Sequence, residues 1–164
     1  MSADRFSGKG IHTRLAHIGN DPSEYFGFVH PPVVRASTVL FPNAATMVSR
    51  EQKYTYGTHG TPTTEALTIA LDALEGSAGT VLVPSGLVAV TLPLLAFLSP
   101  GDHVLITDSV YRPTRHFADT VLARMGVEIT YYDPMCGAAI AELMQPNTKV
   151  VFTESPASNT FEIQ

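Results

Sequence analysis

The sequence predicts an α/β fold: a mostly parallel sheet with flanking helices, preceded by an extended N-terminal arm. Three observations predict it. Apolar, β-branched runs alternate with helical patterns from Thr80 onward. Residues 1–60 carry frequent Pro and Gly and no sustained period of either 2 or 3.6. A hydrophobic share of 45% against 15% charged residues, over 164 residues, suits a folded chain with a sizeable core. Strands that alternate with helices need crossover connections, which make neighbouring strands parallel and cover the sheet on both faces.

Taken in order, residues 1–60 read as the arm and 61–164 as the first part of the α/β domain. Within the arm, Phe28-Val-His-Pro-Pro-Val-Val-Arg-Ala-Ser-Thr-Val-Leu-Phe-Pro sets two prolines ahead of a β-branched run, which favours extended backbone over helix. An apolar arm of this length needs a surface to cover, and a partner subunit is one candidate. From Thr61 the pattern turns helical. Pro62 sits where a first turn tolerates it, Leu67, Ala70, Leu71 and Leu74 follow at helical spacing, and Gly76 offers a stop. The remainder is expected to run as strand Thr80-Val-Leu-Val-Pro, helix Leu87 to Leu98, strand Val104-Leu-Ile-Thr, helix Pro113 to Met125, strand Val127-Glu-Ile-Thr-Tyr-Tyr, helix Ala138 to Met144 and strand Lys149-Val-Val-Phe-Thr. Ser99-Pro-Gly-Asp and Gln145-Pro-Asn-Thr punctuate it at ordinary loop lengths. With the sheet still growing at its last strand, the pattern is that of an interrupted domain.

Composition narrows the function. A net charge of −5 gives no electrostatic reason to expect nucleic acid or an acidic membrane as partner, so a small-molecule ligand is expected. The longest apolar region, Leu87 to Leu98, is broken by Thr91 and Pro93 and falls short of the roughly 20 residues a membrane span requires. The first thirty residues mix acidic and basic side chains without an apolar signal region, and a cytoplasmic location is expected. Cys136 has no second cysteine to pair with, and reads as a small residue in a loop or helix start or as a reactive thiol. His12, His17, His30, His59, His103 and His116 lack the close pairing of a zinc site; His103 and His116 read as structural.

Three segments have the composition of a ligand site. In Pro84-Ser-Gly-Leu-Val-Ala-Val, a glycine is expected directly after a buried strand and at the start of a helix, so the Gly86 and Leu87 amides, aided by the helix dipole, can seat a phosphate; the same Ser85-Gly86 pair also reads as a cap and tight turn. Tyr54-Thr-Tyr-Gly-Thr-His-Gly-Thr-Pro-Thr-Thr crowds hydroxyls and glycines that can serve one polar ligand, or form a turn-rich hinge before the helix. In Asp108-Ser-Val-Tyr-Arg-Pro-Thr, Tyr111 follows a strand by a few residues. It therefore lies at the carboxyl edge of the sheet, where open α/β folds bind ligands, either stacking on a planar cofactor or standing as a surface tyrosine.

Tyr56-Gly in a Gly-Thr-Pro-Thr loop, Pro84-Ser-Gly and Tyr111 recur in this order in the transsulfuration enzymes of the cystathionine β-lyase and γ-synthase family, which the chain resembles. Thr13-Arg-Leu-Ala-His-Ile-Gly, Pro31-Pro-Val-Val-Arg-Ala-Ser-Thr, Leu74-Glu-Gly, Pro100-Gly-Asp-His-Val-Leu, Asp133-Pro and Glu154-Ser-Pro extend the resemblance over essentially the whole chain. It implies the aspartate-aminotransferase-like fold (fold type I) and the cofactor pyridoxal 5'-phosphate. On the same comparison Ser85, Gly86 and Leu87 would hold the cofactor phosphate, and Tyr111 would stack on the pyridine ring. Tyr56 would reach the phosphate of a neighbouring subunit, within a homo-oligomer built as a dimer of dimers.

The resemblance further implies β-elimination of L-cystathionine to homocysteine, pyruvate and ammonia. In a complete enzyme of this kind the substrate amine displaces a cofactor-bonded lysine, the freed lysine removes the Cα proton and the β-thiolate leaves. None of Lys9, Lys53 and Lys149 matches that lysine, so the chain by itself is expected to be inactive. A further departure is Thr58-His59, where family members often carry an arginine two residues after the matching tyrosine. The β-lyase branch is preferred on Tyr132-Asp-Pro-Met-Cys-Gly-Ala-Ala-Ile and Glu154-Ser-Pro-Ala-Ser-Asn-Thr-Phe-Glu. The alternatives are a γ-synthase or γ-lyase relative, and a non-enzymatic partner of a full-length homologue.

Overall fold

The computed structural model describes residues 8–163, which fall into two compact units, one ending at Leu82 and the other beginning at Val83. Up to Leu82 the chain forms α1 (Ile11–His17), a 3-10 turn at Pro22–Glu24, α2 (Ala44–Ser49) and α3 (Pro62–Glu75). Before Pro62 no described helix exceeds 7 residues, as the lack of periodicity predicts. The proline-rich stretch 31–37 takes no regular structure.

Helix α3 begins and ends where its sequence says. Thr61 accepts the Thr64 N–H while the Thr64 hydroxyl answers the Thr61 N–H, a capping box that satisfies two otherwise orphaned donors. Pro62 opens the first turn, and Gly76 closes the helix at φ 66°, a left-handed position that glycine takes without steric cost. Hydrogen bonds tie the preceding segment to it: the Arg14 guanidinium donates to the Ala73 carbonyl (2.6 Å), and the Thr63 hydroxyl donates to Pro32 O while accepting the Val34 N–H.

From Val83 the chain forms α4 (Gly86–Phe97), β1 (His103–Thr107), α5 (Arg112–Phe117), β2 (Glu128–Tyr132), a 3-10 helix at Gly137–Leu143 and β3 (Thr148–Phe152). The α5 helix runs on through a π-helical turn at Ala118–Leu122. The three strands lie in the order β2-β1-β3, all parallel, with Val104 opposite Ile129 and Val150. Alternation along β1 puts Val104 and Ile106 on one face. There they pack with Leu94 and Leu98 of the α4 segment and with Val110, Ala118, Leu122 and Val127. On the opposite face His103 is fully buried. Its Nδ1 lies 2.7 Å from Thr148 Oγ1 and its Nε2 lies 2.9 Å from Thr130 Oγ1, so both ring nitrogens are satisfied across the neighbouring strands and the residue is structural.

Two expected elements differ. Thr80-Val-Leu-Val-Pro forms no strand: it joins no ladder of the described sheet, Val81 and Leu82 are exposed, and the Thr80 hydroxyl donates to the Asp72 carboxylate. β-propensity is mostly packing against paired neighbours, and this run has none. The helix expected over Ala138–Met144 is a 3-10 helix over Gly137–Leu143. It has seven residues and no side-chain N-cap, and short helical pieces of this kind often take the tighter 3-10 form. Cys136 stands at its start.

Candidate functional site

Connectivity brings two helix starts to the carboxyl edge of the sheet. Helix α4 ends just before the first residue of β1, against which the sheet packs, so its start points back toward the other end of the strand; α5 begins just after β1 ends, and the two helices are in contact. Ser85 precedes α4 with extended backbone (φ −159°, ψ 159°), and its Oγ accepts the Val88 N–H at 3.3 Å. That cap uses one of the four N–H groups a helix start leaves over, and the Ser85 carbonyl takes Ala89 N–H as the first helical bond. The Gly86 and Leu87 amides have no intrahelical acceptor. A Cβ placed on Gly86 would meet nothing within 4 Å, so the backbone there is open to close approach, and Leu87 is 43% exposed. Two amides without an intrahelical acceptor at the positive end of a twelve-residue helix have the chemistry that suits an anion.

Tyr111 occupies the position before α5, with its side chain 47% exposed. Its N–H donates to both carboxylate oxygens of Glu154, at 3.1 and 3.2 Å, and its carbonyl accepts from Thr114 and Arg115. Glu154 follows β3 and lines an open cleft of ≈ 620 Å³ with Thr107, Tyr132, Pro134, Thr153 and Ser155. Nearby, the Arg115 guanidinium is ion-paired with Asp108 and lies 3.7 Å from the centre of the Tyr131 ring. Burial, followed by the hydrogen bond to Asp119, pushes the Tyr131 phenol above its ordinary range, which keeps it protonated.

Tyr56 lies in the other unit, described separately. It forms an isolated antiparallel bridge with Thr38, and its ring meets the His59 ring edge-on at 5.9 Å. Gly57 donates to Ser37 O at 2.6 Å, and any Cβ there would fall 2.0 Å from the Ala36 carbonyl, so only glycine fits. Most hydroxyls of this loop are already engaged: Thr61 and Thr64 in the α3 start, Thr63 on Pro32 and Val34, and Tyr54 on Glu65. Tyr56 remains half-exposed, while Thr58 and His59 line an open cleft beside Lys53, Glu65 and Thr68.

Sequence reasoning missed a polar cluster next to this loop. Lys53 pairs with Glu65 (2.9 Å) and Glu24 (3.2 Å), and Tyr54 donates to Glu65. The hydrogen bond to Glu65 holds the Lys53 amine above its ordinary range. Burial and the Glu65 bond push the Tyr54 phenol up to about 12. The side chains come from distant parts of the chain, so no local spacing announces them. Glu154 was also missed as a partner of Tyr111, although its place directly after an apolar run signals the same sheet edge.

The fold defines the class: an α/β protein with a parallel sheet, an open helix start at Gly86 and a half-exposed tyrosine after β1. A profile of the family described as Cys/Met metabolism PLP-dependent enzyme matches residues 12–164, and the chain belongs to that family. Over 155 residues it is 68% identical to a protein of Rhizobium johnstonii provisionally named a cystathionine beta-lyase, covering 94% of this chain and 39% of that protein. It is 42% identical to the cystathionine beta-lyase of Haemophilus influenzae, covering 93% of this chain and 40% of the relative. The crystal structure of metB from Corynebacterium glutamicum superposes with a TM-score of 0.86 at 29% identity, over 99% of this chain and 41% of that one. The chain thus spans about two fifths of the length of these relatives. The fold is the corresponding part of fold type I, and the family's cofactor is pyridoxal phosphate. The residues present fit that group: free amides suit its phosphate, and a half-exposed phenol ring suits a planar heterocycle.

Proposed function

We propose that the chain carries the phosphate seat and ring platform of a carbon–sulfur lyase that cleaves L-cystathionine by β-elimination to homocysteine, pyruvate and ammonia. The open start of α4 carries the reading. Gly86 and Leu87 give their amides to the cofactor phosphate, Ser85 holds the helix start rigid by capping Val88, and Tyr111 presents its ring to the pyridine face. Tyr56, on a loop pinned by Gly57 and half-exposed, reaches the phosphate of a neighbouring subunit in a homo-oligomer arranged as a dimer of dimers. Bound pyridoxal phosphate supplies an electron-withdrawing ring that lets the Cα–H and Cβ–S bonds of a sulfur amino acid break.

Lys53 and Lys149 are unsuited to bonding the cofactor. Lys53 is held protonated between two carboxylates, and Lys149 lies at the amino end of β3, away from the edge where Tyr111 stands. The location consistent with this reading is the cytoplasm, and no described helix is long and apolar enough to cross a membrane.

Calorimetric titration with pyridoxal 5'-phosphate and with unphosphorylated pyridoxal tests the seat: the phosphate ester should bind at least about tenfold more tightly, and equal binding overturns the assignment. The chemistry is tested by joining this chain to the remaining residues of the Rhizobium johnstonii relative and supplying L-cystathionine. Pyruvate is the expected oxo acid; 2-oxobutanoate instead would assign γ-elimination.

A further inference from the structure

We propose that Glu154 is the positioning residue of Tyr111, setting where the phenol ring stands over the carboxyl edge of the sheet. The inference rests on the reading of Tyr111 as the ring platform and adds to it the residue that holds the platform in place.

Tyr111 leaves the sheet on a short connection, four positions beyond the last residue of β1, and its backbone (φ −49°, ψ 127°) is not yet helical. No side chain of its own caps α5 and its ring is half-exposed, so its backbone is held on one side by its carbonyl, which accepts from Thr114 and Arg115, and on the other by whatever its N–H meets. The one contact made by its N–H is to Glu154, 43 residues later, with both oxygens within hydrogen-bond distance. A carboxylate that accepts a single amide at two oxygens confines that amide in both directions across its plane, and charge strengthens the bond relative to a neutral acceptor. The carboxylate also sits at the positive end of α5.

Glu154 can do this because its own backbone follows β3, whose ladder to β1 runs through Phe152 opposite Ile106. The Tyr111 amide is therefore referenced to the sheet through two routes: covalently from β1, and through Glu154 from β3. The Arg115 guanidinium of this helix start is ion-paired with Asp108 rather than with Glu154.

The test compares the native chain with Glu154→Gln and Glu154→Ala. Hydrogen exchange at the Tyr111 amide should accelerate roughly tenfold or more in Glu154→Ala and less in Glu154→Gln, which keeps one acceptor oxygen, while the Leu105 and Ile106 amides of β1 exchange as in the native chain. In parallel, the circular dichroism induced in added pyridoxal 5'-phosphate should fall in Glu154→Ala and recover in part in Glu154→Gln. Unchanged exchange at Tyr111 in Glu154→Ala overturns the proposal. The induced signal of Tyr111→Ala tests the platform separately: if it equals that of the native chain, the stacking role of Tyr111 fails while the amide measurement still decides the part played by Glu154. Should Glu154→Ala not fold, Glu154→Gln carries the comparison, with native exchange at Tyr111 counting against the proposal.

Discussion

The unit that begins at Val83 and the unit that ends at Leu82 are stabilised in different ways. In the first, β1 is buried along its whole length and apolar side chains from two helices and the two neighbouring strands pack around it. In the second, the buried apolar side chains among the described residues are Ile18, Tyr25 and Ala66, while Phe26 and Leu40 stand 99% and 85% exposed. There the chain is tied to α3 by hydrogen bonds and by the Lys53–Glu65–Glu24 cluster. A core of its own lets one unit hold precise backbone positions for a ligand. The other keeps apolar side chains such as Phe26 and Leu40 outward.

Substitutions should separate the two. Ile106→Ala, at a fully buried position of the sheet core, should cost about 2–5 kcal/mol in urea unfolding, whereas Leu40→Ala should stay within about 0.5 kcal/mol. Equal costs would erase the contrast. Replacing the fully buried His103 with Leu removes the partner of two part-buried threonine hydroxyls and should cost roughly 1–3 kcal/mol, measured the same way. Thr61→Ala dismantles the α3 capping box and should cost about 1 kcal/mol, read as earlier thermal unfolding of the helical signal.

The smallest effect sharpens the polar side of the contrast. Tyr54 has its phenol pushed up to about 12 from 10.0, so its contribution to stability is complete below pH 10 and is lost as pH rises through about 12. The Glu65 carboxyl is moved the other way. Burial raises it, but the bonds from Tyr54 and Lys53 outweigh that and lower it, so its contribution is lost as pH falls through the lowered value. Subtracting the phenolate titration of a Tyr54→Phe variant should isolate one group titrating near pH 12. Glu65→Gln should bring that group part of the way back toward 10.0, and an unmoved curve would remove Glu65 from the account.

Much of the sheet unit was legible because periodicity and punctuation agree there. The runs at Val104, Val127 and Lys149 became β1, β2 and β3, and Pro84-Ser-Gly placed the start of α4. The Thr80–Pro84 run failed because an apolar, β-branched sequence states a preference that only a paired neighbour realises. The positions of Tyr111 and Gly86 at helix starts were legible from local sequence. Glu154 and the Lys53–Tyr54–Glu65 cluster were not, because contacts spanning 43 and 11 residues arise only when the chain folds back on itself.

The central claim is that free amides at the start of α4 seat the cofactor phosphate, and Gly86→Pro tests it most directly. Proline at the first helical position removes the Gly86 N–H with little cost to the helix. The extended backbone of Ser85 accepts a following proline, and nothing lies within 4 Å of the added Cβ. With thermal unfolding unchanged, the affinity for pyridoxal 5'-phosphate should fall about tenfold or more. Native affinity in a folded Gly86→Pro chain would contradict the account.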